Sequence, residues 1–152
     1  MLKAVTLLIA LLWCITEIRA EESNLEHLAQ KYFQAKLATQ QPNASEADLE
    51  AYLDLLSEHV GYEHKPYRLL GEVEGGKQRM RKGMTYYLGK NERYDAELVS
   101  IAIGHNAFAI QYKGTHVFRR GGDGPILTEH FNTMDVLEVE GGKVSIIREY
   151  RE

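Results

Sequence analysis

The feature that most constrains the fold is a change of hydrophobic period near the middle of the chain. Before Gly89, apolar residues recur at helical spacing. After Gly89, apolar and polar residues alternate in stretches that predict strands at 94–103, 108–118, 126–139 and 143–150. The turn-like sequences GHNA, RRGGDGP and EGGK separate them. Helices followed by a meander of strands predict an α+β fold with an antiparallel sheet packed on the helices.

Two helices are expected at the start of the first half. Ser23 and Glu26 form a capping box, and an apolar stripe at helical spacing continues from there to about Thr39. A second stripe begins after Ser45, another favourable helix cap, and ends near residue 59.

A short strand and a third helix are expected before the strand-rich half. Residues 60–70 are predicted to be extended, with a break at Pro66. The third helix follows Gly75-Gly76 and stops at Gly89, because glycine tolerates the left-handed conformation that ends helices. The predicted order of elements is therefore α-α-β-α-β-β-β-β.

The first twenty residues predict a secretory signal peptide. Lys3 precedes an apolar run at residues 4–15, and Ile18-Arg19-Ala20 offers a cleavage site. The alternative is a membrane anchor, but the run is well short of the roughly 20 residues that a spanning helix needs. We therefore expect a secreted or periplasmic protein of residues 21–152. In a eukaryotic secretory route, Asn43-Ala44-Ser45 would also be a glycosylation acceptor.

Charge and motif content exclude several functional classes. The net charge is −4, and losing Lys3, Glu17 and Arg19 makes it −4 − 1 = −5, which argues against nucleic acid as a partner. The basic cluster at residues 77–82 is expected to be a solvated helix face. Cleavage also removes Cys14, the single cysteine. Neither zinc-type spacing nor a phosphate-binding glycine motif occurs, so we expect no metal and no cofactor. We also expect no membrane contact once cleavage has removed the apolar run at residues 4–15.

An acid lies on an apolar strand face near the end of the chain. Side chains alternate with a period of two, so Asp135 shares a face with Phe131, Leu137 and Val139. An unpaired carboxylate costs several kcal/mol to bury in its charged form. Asp135 must therefore have a partner, hold a proton or line a wet cavity.

The element order and two stretches resemble the nuclear transport factor 2-like superfamily, in particular its SnoaL-like branch. The stretches are SEHVGYEHKP, similar to the segment from the second helix into the first strand, and the final MDVLEVEGGKVSIIREY. The resemblance covers nearly all of residues 21–152. It implies a cone-shaped domain in which a curved, mainly antiparallel sheet wraps around three helices. It also implies a cavity for a small apolar ligand and a homodimer packed through the sheets.

The resemblance implies candidate catalytic residues. SnoaL-like cyclases carry an acid at the position of Asp135, and isomerase-like relatives carry an acidic base where this chain has Glu63 and His64. Asp135 and His64 are therefore the candidate acid and base, with a structural acid and a hydrogen-bonded rim histidine as the alternatives. The chain ends in Glu149-Tyr150-Arg151 instead of the His-Trp-Asp run common in cyclases, which argues against cyclisation itself.

Four further residues are candidates for ligand binding. Tyr62 shares a strand face with the candidate histidine, and Tyr87 lies on the apolar stripe of the third helix. His116 lies in a Gly-Thr-His run similar to one in cyclase-type members. His130 faces away from the candidate acid by strict alternation, so it reaches the site only if a β-bulge intervenes. Core packing is the alternative for Tyr87, and a place in a core or dimer layer is the alternative for His116.

Two functions fit these observations. One is a cofactor-free isomerase, cyclase or hydratase that acts on a small carbonyl compound by acid–base catalysis, with a tyrosine as oxyanion donor. The other is a non-catalytic module that binds a small ligand. Convergence of Asp135 and His64 on one cavity would favour the enzyme. A salt bridge from Asp135 to Arg148 or another basic residue would favour the binding module.

Overall fold

The computed structural model describes residues 2–65, 76–121 and 124–151, without the side chains of residues 2–20 and 65. The elements are α1 Leu2–Thr39, α2 Glu46–Leu53, β1 Leu56–Lys65, α3 Gly76–Thr85, β2 Asn91–Gly104, β3 Ala107–Arg119, β4 Ile126–Glu140 and β5 Lys143–Arg151. This order confirms the predicted α+β arrangement.

The first helix begins earlier than predicted. α1 is continuous from Leu2, so Ser23 lies inside the helix and does not cap it. The reason is local: the preceding sequence IRAEE contains no helix breaker and is rich in good helix formers. Among the described residues, no helix has both the length and the apolar composition needed to cross a membrane.

The second helix starts where predicted and ends sooner. Ser45 caps α2, because its Oγ accepts a hydrogen bond from the backbone N–H of Asp48 at 3.3 Å. α2 ends at Leu53 although the apolar residues continue at helical spacing. The chain instead enters β1, where Leu56 pairs with Val144 of β5, so sheet pairing overrides the helical pattern.

The third helix and the first strand occur as predicted but with different bounds: α3 ends at Thr85, before the predicted stop at Gly89, and β1 begins before the predicted residue 60. α3 begins at Gly76, and the turn after it reaches Gly89, whose φ of +66° is the left-handed conformation expected there. β1 starts at Leu56 and ends at Lys65. Residues 66–70 of the predicted extended segment lie outside the described residues.

The five strands form one mainly antiparallel sheet in the order β1-β5-β4-β3-β2. Only the β1–β5 pairing in this sheet is parallel. In β4, Phe131, Thr133, Asp135 and Leu137 are buried on one face, which confirms the predicted alternation.

The hydrophobic core lies between the helices and this inner face of the sheet. On α1, the Tyr32 ring packs edge-on to Phe108 of β3, and the Phe33 ring lies 5.6 Å from the ring of Tyr112. Leu49 and Leu53 of α2 are fully buried in the same cluster. α1 therefore packs directly on the sheet and can place polar side chains against β4 and β5.

Candidate active site

Three ionisable side chains stand side by side across the inner face of the sheet. In the strand register, Asp135 of β4 lies opposite Glu149 of β5, and Glu149 lies opposite His64 of β1. We call His64, Glu149 and Asp135 the acid–base row. The row links the two residues that the sequence analysis selected, with a second carboxylate between them.

Lys36 of α1 contacts both carboxylates of the row from the helix side and balances part of their charge. Its Nζ lies 2.7 Å from Asp135 Oδ2 and 2.9 Å from Glu149 Oε2. Without this ammonium, two carboxylates directly opposite each other would repel. The Lys36 side chain is 17% exposed and that of Asp135 is 0% exposed, so the ion pair is largely desolvated.

Tyrosine hydroxyls surround the buried end of the row. Tyr32 Oη donates to Asp135 Oδ2 at 3.5 Å, and Tyr112 Oη donates to both carboxylate oxygens at 3.4 Å. These are long hydrogen bonds. The Tyr32 hydroxyl is also 3.2 Å from that of Tyr52. Asp135 therefore has an ammonium and two hydroxyls as partners, which accounts for an acid on an apolar face.

Glu149 divides its two oxygens between the buried and the accessible end of the row. Its Oε2 accepts hydrogen bonds from Lys36 and from the hydroxyl of Tyr62, the latter at 3.2 Å. Its Oε1 lies 3.8 Å from His64 Nε2. The His64 side chain is 36% exposed and that of Glu149 is 13% exposed. His64 is thus the member of the row that solvent or a ligand can most easily reach.

The two carboxyl groups have different proton affinities because their surroundings differ. Burial raises the pKa of Asp135 above its usual range, and the charge of Glu149 adds to this, although Lys36 opposes it. Burial alone would also raise the pKa of Glu149, but Lys36, with smaller effects from His64 and Tyr62, lowers it overall. Asp135 therefore holds its proton to a higher pH than Glu149 does.

The donors around the row stay protonated at neutral pH. Burial lowers the pKa of Lys36, but the surrounding acidic groups, Asp135 first among them, together more than offset this and keep the pKa well above its usual value. Burial raises the pKa of Tyr52 to about 12. It also raises the pKa of Tyr32, Tyr62 and Tyr112.

The space next to Lys36 is small. A cavity of about 10 Å³ lies between Lys36, Tyr94 and Tyr112, which is room for about one water molecule. Open concavities of about 490 Å³ and 470 Å³ lie over Gly114 and between α1 and α2, and neither is lined by the acid–base row. A ligand that enters this cavity must therefore displace the side chains around it.

Three predicted ligand-binding residues lie away from the row. His116 is on the inner face of β3, where its Nε2 is 2.8 Å from Asn91 Oδ1. His130 is exposed and 3.1 Å from Thr115 Oγ1, and the β3–β4 register has no bulge that would turn it inward. Tyr87 is 66% exposed. Of the four candidates, Tyr62 is the one in direct contact with the row.

Lys36 and Glu149 were not among the site residues predicted from the sequence, although both left a signal in it. Lys36 follows Tyr32 by four positions on the buried stripe of α1, where a lysine needs a partner. Glu149 shares a face of β5 with buried Ile147, just as Asp135 shares a face of β4 with Leu137. Two acids and one lysine on apolar faces together indicate a buried ion network.

The basic partner of Asp135 is Lys36 and not Arg148. Arg148 lies on the opposite face of β5, where its Nε is 3.2 Å from Glu63 Oε2 and its guanidinium also contacts Glu138. Within the described parts of the chain, no group of His, Cys, Asp and Glu side chains is arranged to hold a metal ion. The chemistry that this site offers is proton transfer and hydrogen bonding.

Solved structures share this architecture. An NTF-2 like protein of unknown function from Burkholderia xenovorans LB400 superposes with a TM-score of 0.60 at 16% identity, over 86% of this chain and 84% of that one. The chain has the nuclear transport factor 2-like fold. A candidate SnoaL-like polyketide cyclase from Shewanella putrefaciens CN-32 shares the fold with a TM-score of 0.64 at 13% identity, over 83% of this chain and 88% of that one.

An enzyme is also among the structures with the nuclear transport factor 2-like fold. An LEH-like epoxide hydrolase from M. tuberculosis has a TM-score of 0.60 at 18% identity, over 83% of this chain and 84% of that one. No protein-family model and no curated protein matches the sequence. The structural likeness confirms the predicted fold, and the activity must be argued from the residues of the site.

Proposed function

We propose that this protein is a cofactor-free acid–base catalyst that isomerises, cyclises or hydrates a small, uncharged carbonyl compound. The observation that carries the proposal is the acid–base row, in which neighbouring carboxyl groups of unequal proton affinity are joined to an accessible histidine. The two carboxylates outnumber the single ammonium of Lys36, so the row disfavours an anionic ligand.

Each residue of the site has a distinct role in this proposal. His64 is the base that exchanges a proton with the ligand, because it is the most exposed member of the row. Tyr62 stays protonated, and its hydroxyl turns from Glu149 to donate to the ligand oxygen on which negative charge develops. Asp135 in its protonated form is the acid: because it is fully buried, it gives its proton to the oxygen of the Tyr32 or Tyr112 hydroxyl that contacts it, and that hydroxyl releases its own proton toward the ligand.

A non-catalytic binding module is the second candidate function. The observation that favours it is the 2.7 Å ion pair between Lys36 and Asp135, which keeps Asp135 from direct contact with a ligand. The small cavity beside Lys36 points the same way, because a binding module can open around an apolar ligand without positioning a reacting atom. In this case the side chains of the row would form one wall of the ligand site.

A thermal-shift screen followed by a turnover assay tests the proposal. Small ketones, enones, lactones and epoxides are screened for compounds that raise the Tm, since a ligand of the folded state stabilises it by mass action. Each hit is then incubated with the protein, and its conversion is followed by NMR. We expect conversion of at least one hit, and a loss of at least about 100-fold in the rate for His64→Gln, the usual scale for a general base.

His59→Gln is the matched control, because His59 is an exposed histidine on the same strand. It should leave both ligand binding and conversion unchanged. If hits stabilise the protein and none is converted, the binding module is the correct function. Equal rates for His64→Gln and the unmodified protein would remove His64 from the mechanism.

We further propose that the protein is exported after cleavage of residues 1–20 and forms a homodimer through the outer face of the sheet. Exposed apolar side chains on the outer face support the homodimer. Met134 and Tyr150 are neighbours across β4 and β5, and they are 42% and 38% exposed. Val99 of β2 is 49% exposed. Light scattering after size exclusion should give twice the chain mass, and Met134→Lys should lower it to one chain.

A further inference from the structure

The two oxygens of Glu149 contact different partners, and this divides the site into two halves. Oε2 is 2.9 Å from Lys36 Nζ, which also holds Asp135 at 2.7 Å. Oε1 is 3.8 Å from His64 Nε2. A positive charge on His64 can therefore pair with Oε1 without displacing Lys36 from Oε2.

The charges in the row compete for the same ammonium. When His64 is neutral, the ammonium of Lys36 balances both Glu149 and Asp135, so less of its field acts on Asp135 and the ionisation of Asp135 costs more. When His64 gains a proton, it balances part of the charge of Glu149, and more of the field of Lys36 is available to Asp135. Ionisation of Asp135 then costs less. The effect is reciprocal, because proton binding at two coupled sites is linked.

The other titratable groups that face Glu149 and Asp135 keep one charge over the neutral range. Among the described residues they are Tyr32 and Lys36 of α1, Tyr52 of α2, Tyr62 of β1, Tyr94 of β2 and Tyr112 of β3. These tyrosines and Lys36 therefore add no change of charge to the row.

We propose that Glu149 is a positioning residue that couples His64 to the buried Lys36–Asp135 pair, so that proton uptake at His64 promotes proton release at Asp135. This inference rests on the proposed function, for which it explains why a base and an acid are placed in one row: a proton taken by His64 prepares Asp135 to return one. The proton count is balanced, with one proton gained at His64 and one lost from Asp135.

A titration of the carboxyl groups in the ligand-free protein tests the coupling. The side-chain carboxyl ¹³C shifts of Asp135 and Glu149 are followed against pH by NMR, in the unmodified protein and in His64→Gln. Removing the histidine removes a cation, so the pKa of both carboxyl groups should rise. We expect a rise for Asp135 of about half a pH unit to one unit, or about three- to tenfold in proton affinity. His59→Gln should change neither curve.

A second comparison tests whether Glu149 carries the coupling. In a Glu149→Gln background, His64→Gln should no longer shift the Asp135 curve, as in a double-mutant cycle. Glu149→Asp, which keeps the charge, should restore at least part of the shift and serves as the test if Glu149→Gln does not fold. An unchanged Asp135 curve in His64→Gln would overturn the coupling. An equal shift in both backgrounds would overturn the role of Glu149.

These titrations need neither a ligand nor turnover, so they fail or succeed independently of the proposed function. Coupling without conversion of any compound would leave the positioning role of Glu149 intact and remove the enzyme. Conversion of a compound without coupling would support the catalytic function and overturn the positioning role of Glu149.

Discussion

Lys36 is the residue on which the charge balance of the inner face depends. It is the basic side chain that touches both carboxylates of the row, and it does so from a helix whose stripe is otherwise apolar. Removing one partner from a buried ion network usually costs more than the network contributes, because the remaining charges stay buried. For this reason Lys36 is a better test of the network than either acid.

We predict that Lys36→Met destabilises the protein by about 3 to 5 kcal/mol at neutral pH, because Asp135 and Glu149 are then left facing each other without a cation. The loss should shrink as the pH falls and the carboxyl groups become protonated. Urea unfolding at several pH values measures both effects. Lys31→Met is the control, since Lys31 is exposed on the same helix. A loss below about 1 kcal/mol would show that the network contributes little.

We predict that Asp135→Asn costs little stability at neutral pH, because the amide can still accept from Lys36 while Glu149 balances the ammonium. A carboxyl group with a raised folded-state pKa contributes stability below its unfolded value of about 3.9, and this is lost as the pH rises through the folded-state pKa. Because asparagine does not titrate, Asp135→Asn does not lose stability in this way. It should therefore gain on the unmodified protein as the pH rises from below 4 to neutral.

Unfolding curves between about pH 3 and pH 7 check this, with a limiting slope of about 1.4 kcal/mol per pH unit. Asp54→Asn is the control, because Asp54 is exposed after α2. A loss of about 3 to 5 kcal/mol for Asp135→Asn at neutral pH would mean that the charge of Asp135 is needed to hold Lys36 in the core. It would then leave the list of catalytic residues.

At the scale of elements, one close approach between strands depends on a glycine that the alternation of apolar and polar residues does not reveal. Gly114 of β3 lies where a Cβ atom would be 1.9 Å from the carbonyl oxygen of Asp95 and 2.8 Å from the Phe131 ring. Both distances are far inside van der Waals contact, and the first involves backbone that cannot rotate away. β2, β3 and β4 therefore approach closely at this position because glycine is present.

We predict that Gly114→Ala destabilises the protein by about 1 to 3 kcal/mol or more, since overpacking forces the backbone of β2 to shift. Thermal unfolding measures the effect. Gly104→Ala is the control within the same sheet, because its Cβ would lie 3.7 Å from the carbonyl oxygen of Ala107, an ordinary contact. Equal Tm values for the two variants would show that the sheet relaxes around position 114 at little cost.

For the whole molecule, the core that the described side chains form lies within the predicted mature chain of residues 21–152. The buried apolar side chains of the core begin at Leu25 and continue to Ile147. We predict that residues 21–152 fold with a cooperative thermal transition, and that the protein recovered from outside the cytoplasm begins at Glu21. Intact mass spectrometry of the exported protein checks the cleavage site. Retention of residues 1–20 in that material would support the membrane-anchor alternative instead.

The sequence by itself determined the order of elements, the mainly antiparallel sheet, the bounds of β2 to β5 within a few residues, and the anomaly at Asp135. These follow from local periodicity and turn residues, which do not depend on distant parts of the chain. Where a local pattern and a long-range strand pairing favoured different structures, the prediction from the local pattern was wrong. α2 ended early because β1 pairs with β5, which follows it by about 80 residues in the sequence.

The partners within the site were decided by the tertiary structure. Lys36 and Asp135 are 99 positions apart, and their contact depends on how α1 lies on the sheet. The placement of His64 beside Glu149 depends on the parallel register between β1 and β5, which no local pattern specifies. A single sequence shows that an apolar face carries an acid. Which cation and which hydroxyls meet that acid is set by the packing of the helix on the sheet, because long-range contacts leave no periodic signal in the chain.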